Sequence, residues 1–501
     1  MPTMVLDADA AYLALKARDA RFDGRLFVGV TSTGVYCRPV CRVRTPRPEN
    51  CRFFGTRAQA EAAAFRPCMK CRPEIAPGLS QMDSSRTLAD TAAQLISHAV
   101  HSGQALPMPA LAARLGVTDR HLRRIFAAAH GVGPLDYLST QRLLLAKQLL
   151  TDTAMPVTQV ALACGFDSLR RFNAAFVERY RFNPTQLRRE GARPANAALR
   201  LAFRPPYDGA AMLAFWAKRA LHGVEQVDGL TLRRTVAWPH RGQQLMGWLS
   251  CRFVPEKNEV HVHTSDSLTP ALGAVLQGVR QMLDLDADPA RIDPVLALLP
   301  VPLRPGTRLP GALCGFEAAV RVVLGQQVTV KAGCTLAQRL VDCLGEPVAT
   351  PFAALTRVFP SAQAIAAASP EVIGKLGIVR QRVKALQALA AAVCDGSLVL
   401  HRSAPLQATL DTLRALPGVG DWTAQVIAMR ALAWPDAWPA SDVALMNALG
   451  DTTRSPKHIT TLAQPWRPWR AYAVMRLWTA LESPDEPTAE APAGTPSESP
   501  T

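Results

Sequence analysis

The chain reads as a multidomain, mainly α protein. A small α+β domain stapled by cysteines comes first, then an all-α domain, then an α+β subdomain packed on a second all-α domain. Three observations carry that reading. Four cysteines fall in two short-spaced pairs near the N-terminus. A helix, tight turn, helix pattern occurs twice, 49 residues apart. Near the C-terminus a Leu-Pro-Gly-Val-Gly hairpin, a helix and a Trp/Pro loop lead to a lone acid, Asp442.

At 501 residues and 49% apolar, the chain can build three or four cores. A formal net charge of +16 favours a polyanionic partner, nucleic acid before membrane. No apolar run reaches membrane-spanning length, and the N-terminus lacks the basic-then-apolar order of a signal peptide. Eleven cysteines without such a signal point to a reducing compartment, the cytoplasm.

The first segment is 1–77. Cys37 and Cys41 are spaced C-x3-C, Cys68 and Cys71 C-x2-C, with 26 residues between the pairs. That spacing suits a tetrahedral four-thiolate Zn2+ site, and a domain with few large apolar residues needs such a staple to fold. The alternative, buried or disulfide-bonded cysteines, fits a reducing compartment poorly. Cys51 fits neither pair. Cys164, Cys251, Cys314, Cys334, Cys343 and Cys394 are scattered singly and are expected as small buried apolar residues. From Arg21 to Arg72 there are eleven Lys/Arg against three Asp/Glu, a balance suited to phosphates. The stretch GVYCRPVCRVRTPRPENCRFFGT, with AFRPCMKCRPE, resembles the N-terminal domain of the Ada-type alkylation response proteins. The resemblance implies that Cys37 takes a methyl group from a methylated DNA phosphotriester. Arg38, Arg42 and Arg44 beside it would hold the phosphate.

The second segment, 84–190, reads as all helix. Pro109 to Leu115, a turn at Gly116, and Asp119 to Phe126 form the first helix pair. Val157 to Ala163, a turn at Gly165, and Ser168 to Tyr180 form the second, with a long helix from Leu135 to Leu150 between them. Two such units can enter successive major grooves. Arg120, Arg123, Arg124, Arg170 and Arg171 lie on the recognition helices; the alternative is a helical bundle with a solvated basic face. GFDSLRRFNAAFVERYRFNPTQLRR resembles the second half of AraC-type DNA-binding domains, with Asp167-Ser168 as an N-cap pair. That resemblance implies a double-stranded promoter and RNA polymerase as partners.

GARPANA at 191–197 reads as a linker. Within 198–305, LRLAFRPPYD, TLRRTVAW and NEVHVHTS alternate like strands, and Ala210 to Leu221 reads as an amphipathic helix. RPPYDGAAMLAFWAKRALHGVEQV resembles the N-terminal subdomain of bacterial broad-specificity 3-methyladenine glycosylases.

The segment 306–482 reads as helical. In the hairpin, Pro417 ends the preceding element, and Gly418 and Gly420 allow positive φ and a close backbone approach. The alternative is a plain turn with Asp442 as an N-cap. The order of hairpin, helix, Trp/Pro loop and Asp resembles the helix-hairpin-helix DNA glycosylases. The resemblance implies a phosphate clamp at Gly418 and Gly420 and a catalytic acid at Asp442. Where several of those enzymes carry a sugar-attacking lysine, this chain has Trp422, which implies the branch without lyase chemistry. GFEAAVRVVLGQQVTVKAG resembles the segment that touches DNA around the extruded base, and places Gln327 at the wedge position. Trp422, Trp478 and Phe215 are the family positions for holding a cationic base; Trp238, Trp248 and Trp466 are read as core packing. The tail 483–501, rich in Pro, Ser and Glu, is expected to be disordered.

The resemblances together imply a fusion: a DNA glycosylase joined to a methyl-sensing transcription regulator. The second methyl-accepting PCHR motif of Ada-type proteins does not occur. The alternative is a regulator whose glycosylase-like half only binds DNA.

Overall fold

The structure, a computed structural model, describes residues 7–18, 22–23, 26–75, 81–102, 106–152, 155–190, 198–240, 243–402 and 404–482. The linker read at 191–197 and the tail read at 483–501 lie outside them. The described residues fall into two units, those within 1–99 and 105–141 and those within 100–104 and 142–501. The division falls inside 84–190, between the two helix–turn–helix pairs. Among the described residues no helix is long and apolar enough to cross a membrane.

In the first unit, strand Phe27–Val30 pairs antiparallel with Cys51–Phe54 on one side and Val35–Cys37 on the other. Val35–Cys37 pairs in parallel with Arg66–Pro67. Val, Phe and Tyr suit this half-buried pleat. Phe27, Tyr36 and Phe65 pack around Ala60. Ala60 lies on helix Arg57–Ala62, which a Thr56–Gln59 capping box starts. The parallel pairing ends two strands side by side, one at Cys37 and the other just before Cys68.

In the same unit, helix Gln81–Ser102 sets Ala92, Leu95 and Ile96 against Leu111, Leu122 and Phe126. Those three belong to the first pair, Met108–Arg114 and Asp119–His130. Thr118 caps the second helix by accepting from the His121 N–H at 3.2 Å.

In the second unit, helices Val157–Ala163 and Leu169–Tyr180 form the other pair. Ser168 alone caps here, accepting from the Arg171 N–H at 3.2 Å, while Asp167 pairs with the Arg171 guanidinium at 3.6 Å. A five-stranded antiparallel sheet follows, in the order Leu199–Ala202, Glu259–Thr264, Gln243–Val254, Thr231–His240, Glu225–Asp228. The helix expected at 210–221 is shorter, Gly209–Ala217, and it is not amphipathic. Met212, Leu213, Phe215 and Trp216 are buried on one side, and the exposed side carries Ala210, Ala214 and Ala217 in place of polar residues.

The helical part runs from Gly315–Leu324 to Arg470–Glu482. Gly315–Leu324 is buried along almost its whole length and packs on Asp421–Ala431 and Arg380–Cys394. The sheet and the helices meet at four alternating charges. Arg234 contacts Glu225 at 3.2 Å and Glu317 at 2.6 Å; Arg321 contacts Glu225 at 2.9 Å and Glu317 at 2.7 Å. Each charge thus has two opposite neighbours.

The expectation that the six scattered cysteines are buried holds for Cys164 and Cys251 only. Cys314, Cys343 and Cys394 are exposed and Cys334 is half-buried. They sit on helix faces or ends that meet solvent, where a small thiol is tolerated.

Removing Glu317 leaves the guanidiniums of Arg234 and Arg321 sharing the one carboxylate of Glu225. Glu317→Ala is expected to destabilise this unit by about 3–5 kcal/mol. Denaturant unfolding of the full chain, followed by tryptophan fluorescence, checks it, since all nine tryptophans lie after residue 215. A loss under about 1 kcal/mol would show that the quartet does not join sheet to helices.

Candidate active site and metal centre

The hairpin Leu416 to Gly420 joins helices Leu406–Ala415 and Asp421–Ala431. Gly418 takes φ +78, and a Cβ there would meet the Ala385 Cβ at 3.1 Å. Gly420 does not use a positive φ. It is extended, φ −86 and ψ 179, because it serves as the N-cap of the second helix. No side chain caps that helix, so its first N–H groups face outward, a favourable place for a phosphate. The nearby Asp421 carboxylate is neutralised by Arg414 at 2.6 Å.

Asp442 opens helix Val443–Ala448 and is 8% exposed. Its Oδ1 accepts from the Leu445 N–H at 2.9 Å, the ordinary N-cap bond. Its Oδ2 accepts from the Trp422 indole N–H at 2.7 Å, and its Oδ1 accepts from the Trp478 indole N–H at 3.4 Å. Trp422 is on the first turn after the hairpin and Trp478 is on the last helix, Arg470–Glu482. The carboxylate is therefore oriented from two sides by the two tryptophans.

The loop that leads to Asp442 is fixed on the same last helix. Asp436 takes a bidentate pair from Arg470 at 2.7 and 2.9 Å and a further bond from Arg467 Nε at 3.0 Å. The Trp438 N–H donates to Gln425 Oε1 at 3.1 Å. Trp466 is buried edge-on against Trp438. Trp238 and Trp248 are half-buried, and Trp248 packs edge-on against Phe352.

Phe215 departs from its expected role. It is 9% exposed, and the guanidiniums of Arg219 and Arg430 lie over its ring at 3.8 and 4.6 Å from the centroid. Its ring is occupied by the protein's own cations and is not free for a cationic base.

Gln327 is exposed at the turn between helices Gly315–Leu324 and Val330–Leu344, with φ +51. That conformation costs a non-glycine residue roughly 1–2 kcal/mol, so its surroundings must hold it. The residue before it does so. Gln326 donates through Nε2 to the Gly418 carbonyl at 2.9 Å and to Thr423 Oγ1 at 2.8 Å. Arg382 donates to the Gln326 carbonyl. Sequence reasoning passed over Gln326, Thr423 and Arg382; only their closeness in the fold gives them a role.

In the metal centre, one sulfur each from Cys37, Cys41, Cys68 and Cys71 lies within 4.8 Å of the others. All four are buried and none is in a disulfide. Exposure does not single out Cys37, which is 5% exposed against 8% for Cys68. The four thiols crowd one another. Cys41 is held down to about 2, first by accepting a hydrogen bond from Cys37, and Cys37 is pushed well up by donating it. A divalent cation between them lets all four ionise together, which is the donor set of a structural Zn2+ site.

Arg38 does not have the place the sequence reading gave it. It is fully buried and forms a two-pronged ion pair with Asp23, with Nε at 2.7 Å from Oδ1. Its guanidinium follows a strand that ends in the core, so it points inward. Arg42 and Arg44 are exposed. Arg120, Arg123, Arg124, Arg170 and Arg171 are exposed on their helices, with Arg123 paired to Asp119 at 2.9 Å.

Four family models match the chain in order. They are the metal binding domain of Ada at 10–74, a helix-turn-helix domain at 111–190, the AlkA N-terminal domain at 198–313, and the HhH-GPD superfamily base excision DNA repair protein at 320–470. The "Probable bifunctional transcriptional activator/DNA repair enzyme AlkA" of Mycobacterium tuberculosis is 38% identical, over 95% of this chain and 97% of its own. "DNA-3-methyladenine glycosylase 2" of Escherichia coli is 32% identical over 57% of this chain and 99% of its own. The "Bifunctional transcriptional activator/DNA repair enzyme Ada" of Escherichia coli is 33% identical over 26% of this chain and 34% of its own. The cofactor of the four-cysteine centre is Zn2+. With a relative this similar along nearly its whole length and the four domain families in this order, the chain belongs to the family of bifunctional transcriptional activator/DNA repair enzymes.

Proposed function

We propose that the chain hydrolyses the N-glycosidic bond of alkylated bases such as 3-methyladenine in double-stranded DNA, and leaves an abasic site without cutting the strand. In its other half it senses methylphosphotriesters by a single, irreversible methyl transfer to Cys37, and so regulates transcription with RNA polymerase through its helix-turn-helix pairs. It acts on nucleoid DNA in the cytoplasm. The observation that carries the first part is the buried Asp442 carboxylate, held by two indole N–H groups behind the hairpin.

A base inside a duplex cannot be reached, so it is flipped out, at a cost of about a few kcal/mol. The helix N-terminus at Gly420 grips a backbone phosphate, and Gln327 enters the space left in the stack. Alkylation of a ring nitrogen makes the base cationic and a good leaving group, so no general acid is needed. The Trp422 and Trp478 rings, with their N–H edges committed to Asp442, offer faces worth about 0.5–2 kcal/mol each to that cation. As the bond to the base breaks, Asp442 faces the sugar, stabilises the oxocarbenium ion and orients the attacking water. Trp422 has no amine to form a Schiff base.

Zn2+ held by Cys37, Cys41, Cys68 and Cys71 would keep the Cys37 sulfur a thiolate at neutral pH. That sulfur attacks the methyl carbon of the phosphotriester. The C–O bond breaks, the phosphate regains its negative charge, and Cys37 becomes a thioether. One negative charge is lost next to DNA, which strengthens binding by ~1 kcal/mol or more, less at high salt. Arg42 and Arg44 hold the phosphate. Arg120, Arg123, Arg124, Arg170 and Arg171 contact the promoter.

Release of free 3-methyladenine from alkylated duplex tests the glycosylase reading. Asp442→Asn is expected to lower it by about 10²–10³-fold with duplex binding retained, and borohydride should trap no covalent adduct. A trapped adduct would place the chain among the lyases. No release by the unsubstituted chain would leave the regulator-only reading.

After incubation with methylphosphotriester DNA, mass spectrometry should find one methyl group on the Cys37 peptide and none in Cys37→Ser. Bound zinc should fall below one per chain when Cys68 and Cys71 are both changed to Ser. Methyl on another cysteine, or promoter affinity unchanged by methylation, would rule out the switch.

A further inference from the structure

A three-residue segment, Leu309, Pro310 and Gly311, ties together the two helices that carry Trp422 and Trp478. It runs along the end of helix Leu272–Met282, where the Gly311 N–H donates to the Met282 carbonyl at 3.0 Å. A Cβ at Gly311 would overlap the Gln281 carbonyl, so only glycine comes this close. On helix Asp421–Ala431, eight residues after Trp422, Arg430 donates through Nε to the Pro310 carbonyl at 2.5 Å. On helix Arg470–Glu482, six residues before Trp478, Tyr472 donates its hydroxyl to Asp284 Oδ2 at 2.9 Å. The same oxygen accepts from the Leu309 N–H at 2.9 Å. One carboxylate oxygen therefore joins the last helix to the segment that holds the hairpin helix.

Asp284 has φ +51, a left-handed conformation that Asp and Asn adopt more readily than most side chains. Tyr472 is 4% exposed. An apolar pair of similar size would fill this place without burying a carboxyl. A hydrogen bond adds direction, which packing alone does not. Direction matters six residues on. The Trp478 N–H lies 3.4 Å from Asp442 Oδ1, beyond the usual range, so a small shift of the last helix makes or breaks that bond. Burial pushes the Asp284 carboxyl up to about 6, while the bonds from Leu309 and Tyr472 and the charges of Arg308 and Arg402 act in the other direction. Tyr207, which also faces it, is pushed well above the usual tyrosine range by burial. Asp286, two residues on, is paired with Arg280.

We propose that Asp284 is a positioning residue for Asp442: through Tyr472 it sets the last helix, and with it the Trp478 donor, against the helix that carries Trp422. This deepens the glycosylase reading and rests on it for its link to base release. A hydroxyl bonds more strongly to a charged carboxylate than to a neutral carboxyl. As pH falls through about 6, Asp284 gains a proton and its hold on Tyr472 weakens. Because its folded value is raised, that proton favours the folded state, so the weakened hold is a local change and not unfolding driven by this group.

Nitrogen–proton spectra of the full chain, labelled on its tryptophans, test the proposal. The Trp478 indole N–H signal, assigned through Trp478→Phe, is expected to move as pH falls through about 6. In Asp284→Asn it should stay at its acid position throughout, because Asn accepts the same bonds without the charge and tolerates the same backbone. At neutral pH, Asp284→Asn and Tyr472→Phe should each slow single-turnover release of 3-methyladenine about three- to tenfold, with duplex affinity unchanged. The unsubstituted rate should fall toward the Asp284→Asn value in acid, and the double variant should be no slower than either single one. A Trp478 signal that ignores pH, or that still moves in Asp284→Asn, would overturn the proposal. So would a fall in duplex affinity that matches the fall in rate. No release by the unsubstituted chain would count against the glycosylase reading, while the Trp478 signal would still decide whether Asp284 sets the donor.

Discussion

A carboxylate buried between tryptophan rings, with no cation at ion-pair distance among the described residues, has to be held by N–H donors. Asp442 finds three, from three separate places: its own helix start, Trp422 just after the hairpin, and Trp478 on the last helix. Those donors fix where three helices can lie. The Asp436–Arg470 pair and the Gln425–Trp438 bond hold the intervening loop to the same frame. The arrangement also sets the helix start after the hairpin in register with the Asp442 carboxylate. Gly420 and Trp422 are two residues apart on one helix, roughly 3 Å along its axis. A shift of the helix start would move the indole donor to Oδ2 with it.

Much of this was legible in the sequence where short spacing carries the meaning. The cysteine pairs and the duplicated helix pair depend on residues near one another in the chain, and both are found as read. Asp442 could be named as an N-cap from its position alone, and it is one. What could not be read is which atoms meet over long separations. The charge quartet joins Glu225 and Arg234 to Glu317 and Arg321, some eighty residues on. Gln326 reaches Gly418 over a similar gap. Phe215 looked like a free aromatic face because Arg430, which covers it together with Arg219 four residues on, comes from a distant helix.

The basic charge of the chain has two uses that composition cannot separate. Some arginines, such as Arg42, Arg120 and Arg170, are exposed on the surface. Buried ones do structural work: Arg38 closes on Asp23 behind the metal centre, and Arg470 anchors the Trp/Pro loop. Burial and the presence of a carboxylate tell the two apart. Arg38 shows why: its place beside Cys37 in the sequence suggested a phosphate contact, while its strand turns it into the core.

The central claim is that the indole N–H groups aim Asp442. Trp422→Phe tests it most directly, because it keeps an aromatic face and removes only the donor to Oδ2. Loss of a hydrogen bond to a charged group, about 1.5–3 kcal/mol, predicts that single-turnover release of 3-methyladenine slows about ten- to hundredfold, with duplex affinity unchanged. Release at the unsubstituted rate would contradict the account.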